Sequence, residues 1–199
     1  MGQCVVISSW ACTGKSYIAQ NYDIMYKYIR TWDLKIVDLD SGKMKDFNRT
    51  HTNEEYLNYI VSLHEKYVFS YIPLTVLLVS AHSMIKEGLM EHHIPSVFYY
   101  PDISQKDAYL EALEDRASIE RGIINWNSPE GRAYQYAQSH IDEMYAEVDE
   151  FRKKYQGTEG YCGTFPININ YRDKTSEFPT LSDAVYRFVS HKNMGLQIE

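Results

Sequence analysis

The stretch Ser8-Ser9-Trp10-Ala11-Cys12-Thr13-Gly14-Lys15-Ser16-Tyr17 decides the fold. An apolar run, Cys4-Val5-Val6-Ile7, precedes it, and Ile18, Tyr22, Met25 and Ile29 follow at helical spacing. That order predicts a strand, a tight loop and a helix. Gly14-Lys15-Ser16 completes a near match to the phosphate-loop pattern G-x-x-x-x-G-K-[ST]. Such a loop wraps backbone N–H groups around phosphate oxygens, and the helix start adds partial positive charge. The expected cradle is Trp10, Ala11, Cys12, Thr13, Gly14, Lys15, Ser16 and Tyr17. Lys15 is expected to reach the outer phosphates of ATP and Ser16 to ligate Mg²⁺. Ser9 stands where the pattern has its first glycine, so backbone strain is expected there. Cys12 is either inert packing or a thiol activated by the helix start. The rival explanation is a chance Gly-Lys-Ser at a helix start, against which the preceding strand argues.

The chain has 199 residues, 44% of them hydrophobic, which suits a single globular domain over 1–199 with a proper core. The net charge of −7 argues against bulk binding to nucleic acid or an anionic membrane, while leaving room for a local basic pocket. Cys4, Cys12 and Cys162 form no paired framework, so a cytoplasmic, reduced protein is expected. No apolar run approaches transmembrane length. A monomer or homodimer is expected. The 18 tyrosines have no functional account.

Lys35 to Leu39 reads as a second strand. Thr52-x-x-Glu55 is a capping box opening a helix to about residue 71, with Tyr56, Ile60, Leu63 and Tyr67 on one face. Residues 75–80 read as a fully buried strand and 83–92 as a helix. Ser96 to Tyr100 reads as a strand stopped by Pro101, followed by a helix over about 105–118. Ser128-Pro129 opens the longest helix, ending near Tyr155. Its apolar residues Tyr134, Ala137, Ile141, Met144, Val148, Phe151 and Tyr155 fit a coiled-coil seam or a face packed on its own domain, the second being favoured. Gly157 and Gly160 break the chain, 166–170 reads as a fifth strand, and Thr180-x-x-Asp183 caps a last helix through Val189. Alternating strands and helices predict an α/β fold with a parallel sheet between helical layers. Ligands then sit beyond the carboxyl ends of the strands.

The apolar strand at 75–80 ends Val79-Ser80-Ala81-His82, with no metal-shell carboxylate. The acids lie after the second strand, in Val37-Asp38-Leu39-Asp40-Ser41. Residues two apart in an extended segment point the same way, so Asp38 and Asp40 are expected at the phosphate-facing mouth. Asp38 is assigned to the Mg²⁺ shell and Asp40 to the acceptor, against the alternative of two solvated turn residues. His82 follows a buried strand and is either a packing residue or an acceptor contact. Arg116 and Arg121 precede an aperiodic stretch, Gly122 to Ser128, and about 114–128 reads as a lid whose arginines neutralise phosphoryl charge. The bland alternative pairs those arginines with Glu114, Asp115 or Glu120 on the surface.

On Ser9 to Ser16, Val37 to Ser41, Leu78 to His82 and Tyr99-Tyr100-Pro101-Asp102, the sequence resembles small P-loop kinases of the nucleoside monophosphate kinase group, in their compact phage and bacterial form. The Asp-x-Asp is also similar to that of shikimate kinases. The resemblance implies a three-layer P-loop NTPase fold with a five-stranded parallel sheet in the order 2-3-1-4-5. It implies an acceptor-binding region over about 41–72 that includes Arg49 and Tyr56, and an adenine site at Asn170 and Arg172. The expected activity is Mg²⁺-dependent transfer of the ATP γ-phosphoryl group to a nucleoside monophosphate, of the deoxy series. Two alternatives stand beside it: a kinase for a small-metabolite or modified-base hydroxyl, and a nucleotide-binding module without turnover.

Overall fold

β1 (Gln3–Ser9) is the middle strand of the sheet, and six of its seven residues are buried. Only a strand covered on both faces can be so uniformly buried. In the computed structural model, which describes residues 2–26, 34–39, 52–120, 122–170 and 175–193, the chain then alternates strand and helix. After β1 come α1 (Lys15–Met25), β2 (Leu34–Asp38), α2 (Asn53–Val68), β3 (Leu74–Ser80), α3 (Ser83–Glu91), β4 (Ser96–Pro101) and α4 (Lys106–Ala117). A short ribbon of β5 (Ser118–Glu120) and β6 (Ile123–Ile124) leads into α5 (Pro129–Tyr155), β7 (Tyr161–Ile167) and α6 (Leu181–Asn193).

The five long strands form one sheet in the order β2-β3-β1-β4-β7, every pair parallel. With β7 as the fifth core strand, this is the expected order. The pleat sorts the core. Val5, Ile7, Val76, Leu78, Val97 and Tyr99 face α1 and α6, where they meet Ile18, Leu181, Val185 and Phe188. Cys4, Val6, Leu77, Val79 and Phe98 face the other way, onto Tyr56 and Ile60 of α2, Ile85 and Leu89 of α3, and Phe151 of α5. A third cluster forms where α4 and α5 pack together over Trp10. The apolar face of α5 is therefore spent within its own domain, with Tyr145 buried and Met144 only half-buried. His140 has non-helical backbone angles (φ −130°, ψ 17°), a kink that the apolar spacing does not reveal.

Local chemistry places the ends. The Thr52 hydroxyl accepts from the Glu55 N–H, and the Glu55 carboxylate accepts from the Thr52 N–H. The Ser128 hydroxyl caps α5 at Gly131 with Pro129 in its first turn. Thr180 accepts from the Asp183 N–H at the start of α6. Two sequence expectations shift. The fifth strand begins at Tyr161, not near 166, and Asn168 makes only an isolated bridge to Thr180. The 114–128 stretch is not a plain loop: Ser118 pairs with Ile124 and Glu120 with Ile123, antiparallel. No helix among the described residues is long and apolar enough to cross a membrane.

Gly88 marks the closest approach of α3 to α2, because a Cβ there would overlap the Leu57 side chain. Alanine gains up to about 1 kcal/mol of helix propensity. Overpacking costs about 1–3 kcal/mol. Gly88→Ala is thus expected to lower Tm by several degrees in a thermal melt, and adding Leu57→Ala is expected to remove most of the clash-specific loss.

Candidate phosphate-binding site

The end of β1 fixes the loop. Ser9 stays in the strand, opposite Ser80 on one side and Tyr99 on the other. The strain expected at Ser9 is absent; the left-handed residues are Cys12 (φ 57°) and Gly14 (φ 96°). Two such turns within three residues reverse the chain and start α1 at Lys15, with Gly14 as N-cap and no side-chain cap. The first amides of α1 thus have no side-chain acceptor. Ser9 uses the hydroxyl that a glycine would lack. It shares a 2.8 Å hydrogen bond with Thr13 Oγ1 and accepts from Lys15 Nζ at 3.3 Å. Thr13 Oγ1 donates to the Trp10 carbonyl at 2.8 Å, closing the turn on itself.

Lys15 is only 5% exposed. Its ammonium donates to the Ser9 carbonyl at 2.8 Å and the Trp10 carbonyl at 2.7 Å. A cation this buried must be hydrogen-bonded. These acceptors, two carbonyls and the Ser9 hydroxyl, are all neutral. Cys12, Thr13, Gly14, Lys15, Ser16 and Tyr17 line a cleft of about 340 Å³, and its facing wall is Arg116. The Arg116 Nη1 lies 3.9 Å from Cys12 Sγ, and that thiol points to the Ala112 carbonyl at 3.6 Å. Arg116 is in the last turn of α4, 104 residues from Cys12 in sequence, and only the packing of α4 brings it there.

Trp10 and Ala11 do not line the cleft. Trp10 instead points down as an anchor, 6% exposed, with ring centroids 5.2 Å from Tyr109, 5.1 Å from Tyr145 and 6.4 Å from Tyr100. Burial pushes the Tyr109 and Tyr145 phenols well above their ordinary range, so both stay neutral beneath the loop. The Trp10 side chain is therefore buried in the core beneath the loop and does not face the cleft.

The other expected residues scatter. Asp38 ends β2 opposite Leu78, in register with Ile7, two positions short of Ser80 and Ser9. Tyr56 is 5% exposed and donates to the Leu39 carbonyl at 3.3 Å. That hydrogen bond ties α2 to the end of β2. His82 is exposed at the start of α3 and makes no side-chain cap. Asn170 is exposed beyond β7, and its N–H donates to Asn168 Oδ1 at 2.8 Å. Gln105, which the sequence did not single out, clips this segment: its Nε2 donates to Asn168 Oδ1 and its Oε1 accepts from the Ile169 N–H. Asp40, Arg49, Arg121 and Arg172 lie outside the described residues. Among the described residues no group of three or more His, Cys, Asp or Glu could hold a metal ion.

Ser9 is thus an integral part of this loop. Ser9→Gly restores the pattern but deletes two hydrogen bonds and adds backbone freedom in a strand. It is expected to lower stability by about 1–3 kcal/mol without tightening nucleotide binding, as read by denaturant titration and calorimetry.

No protein-family model matches the sequence, and no curated protein matches it. Solved structures do resemble the fold. The shikimate kinase of Bacteroides thetaiotaomicron is 11% identical, with a TM-score of 0.49 over 98% of this chain and 99% of that one. The shikimate kinase of Acinetobacter baumannii, solved with shikimate, is 10% identical, with a TM-score of 0.45 over 100% of this chain and 97% of that one. The parallel sheet and its strand order rest on the hydrogen-bond registers of this chain itself.

Proposed function

We propose that this chain is an ATP-dependent P-loop kinase acting on a small-molecule acceptor, with a nucleoside monophosphate of the deoxy series as the leading candidate. The observation that carries the reading is one cleft holding both the Gly14-Lys15-Ser16 turn of the central strand and Arg116. Phosphoryl transfer asks little covalent chemistry of a protein; positioning and electrostatics supply most of the rate. The loop amides and the start of α1 orient the triphosphate. Lys15 exchanges neutral carbonyls for phosphate oxygens, which are charged and bind an ammonium more strongly. Arg116 closes from the α4 side, and with water excluded each charge acts through a lower dielectric.

The residues fit Mg²⁺. The Ser16 hydroxyl lines the cleft and makes no hydrogen bond to a described residue, leaving its lone pairs to a hard cation. Mg²⁺ keeps most of its shell as water and substrate phosphate, so one or two protein oxygens suffice. Ser16 would hold it, with Asp38 acting through water. When bound, it supplies charge neutralisation at the β- and γ-phosphoryl oxygens.

A second reading, transfer to a hydroxyl of a small metabolite or modified base, is favoured by Asp38 at the end of β2, with Asp40 two residues on. A hydroxyl nucleophile needs a carboxylate to take its proton, whereas a monophosphate is already anionic and needs cations instead. The acceptor therefore separates the two readings by charge.

ATP consumption against ribo- and deoxynucleoside monophosphates, with hydroxylated metabolites beside them, tests the proposal. Turnover with one deoxynucleoside monophosphate supports the leading reading. Turnover only with a neutral hydroxyl replaces it with the second, and ATP binding without any acceptor marks a non-catalytic module. Lys15→Ala is expected to lower turnover on the order of 10³-fold, since this ammonium acts on transition-state charge. Near-normal turnover would remove Lys15 from the chemistry. Arg116→Ala is expected to reduce kcat while moving Tm little; a surface ion-pair role would leave kcat unchanged.

A further inference from the structure

Tyr17 follows the Gly-Lys-Ser turn directly and is 63% exposed. On the same helix Ile18 is 1% exposed, so α1 has a well-defined buried side and Tyr17 lies off it. Among the described residues Tyr17 is the sole aromatic lining the phosphate cleft. The other rings nearby are committed elsewhere: Trp10, Tyr109 and Tyr134 are buried in the cluster beneath the loop. The Tyr17 side chain makes no hydrogen bond, ion pair or ring contact with any described residue.

Scattered surface aromatics need no explanation, but this one stands in a cleft of defined chemistry. The loop can occupy only the phosphates of a nucleotide. Sugar and base must leave the cleft past its rim, and the rim carries a phenol ring with an open face. Base–aromatic stacking is worth about 1–3 kcal/mol per base and needs no hydrogen-bond pattern, because every base has a π-face. We propose that Tyr17 is the stacking platform for the base of the nucleotide whose triphosphate the loop holds. The inference rests on the kinase reading above for the identity of that ligand. It assigns affinity for the base to the ring of Tyr17, and affinity for the phosphates to Lys15 and the loop amides.

Inorganic tripolyphosphate carries the phosphates without the base, so it separates these contributions. Calorimetric titration of wild type, Tyr17→Phe and Tyr17→Ala with Mg²⁺-ATP and with Mg²⁺-tripolyphosphate is the test. Tyr17→Ala is expected to weaken ATP on the order of 10-fold and to leave tripolyphosphate unchanged. Tyr17→Phe is expected to match wild type for both ligands, because stacking needs the ring and not the hydroxyl. Unchanged ATP affinity in Tyr17→Ala overturns the proposal. So does an equal loss for both ligands, which would put Tyr17 on the phosphates or the loop geometry. A loss in Tyr17→Phe as large as in Tyr17→Ala overturns it too, assigning the effect to the hydroxyl. Wild type that binds neither ligand would instead overturn the phosphate site, and this inference with it. The exposed position makes a folding defect easy to separate, by comparing the melting curves of the three proteins.

Discussion

Burial of the Trp10 indole joins the two halves of the site. β1 is hydrogen-bonded on both sides, so the chain must leave the sheet in a tight turn at Ser9. The first side chain past that point goes down between Tyr100, Tyr109 and Tyr145 instead of out to solvent. The loop is thereby fastened to β4, α4 and α5 at once. Removing such a ring from a core costs about 3–5 kcal/mol, a large part of the roughly 5–15 kcal/mol by which a domain is stable. The same ring touches Tyr109 of α4, the helix whose last turn carries Arg116 to the facing wall of the cleft. Loop and distant cation are thus tied to one buried cluster.

Lys15 and Ser9 show how the turn holds a charge. A buried ammonium needs acceptors, and the strand end supplies two carbonyls and a hydroxyl. In the phosphate-loop pattern the Ser9 position is a glycine. In this chain the demanding backbone angles move to Cys12 and Gly14, and Ser9 keeps extended geometry while its side chain ties Thr13 to Lys15. The sequence departure is therefore accommodated with Ser9 in the strand, and the cleft still forms.

Much of the fold was legible from patterning because its signals are local. The run before the loop, the apolar stretch ending at Ser80, the Thr52 capping box and the Ser128-Pro129 start each map onto an observed boundary. What was not legible lacked a period. β5 and β6 have three and two residues, too few for alternation to register. β7 carries Gly163 at φ 125°, which interrupts a strand pattern, so only its more apolar end stood out. The kink at His140 has no proline or glycine to announce it. For the site, the loop was readable because its chemistry is contiguous. Arg116 could be named as a cation near a lid, but its arrival opposite Cys12 depends on α4 packing. Gln105 gave no signal, since a clip between its amide and Asn168 exists only once β4 and β7 are neighbours. Tyr56 fell on a helical face that the sequence showed as apolar, and burial took it.

In the proposed triphosphate cradle at 12–16, Lys15 changes partners on binding. The most direct measurement is a crystal structure of the protein grown with Mg²⁺ and a non-hydrolysable ATP analogue. β- and γ-phosphate oxygens are expected within hydrogen-bond distance of the loop amides, with Lys15 Nζ moved from the Ser9 and Trp10 carbonyls onto those oxygens, as such a cradle requires. Phosphates seated elsewhere, or Lys15 still bonded to both carbonyls beside a bound triphosphate, would contradict it.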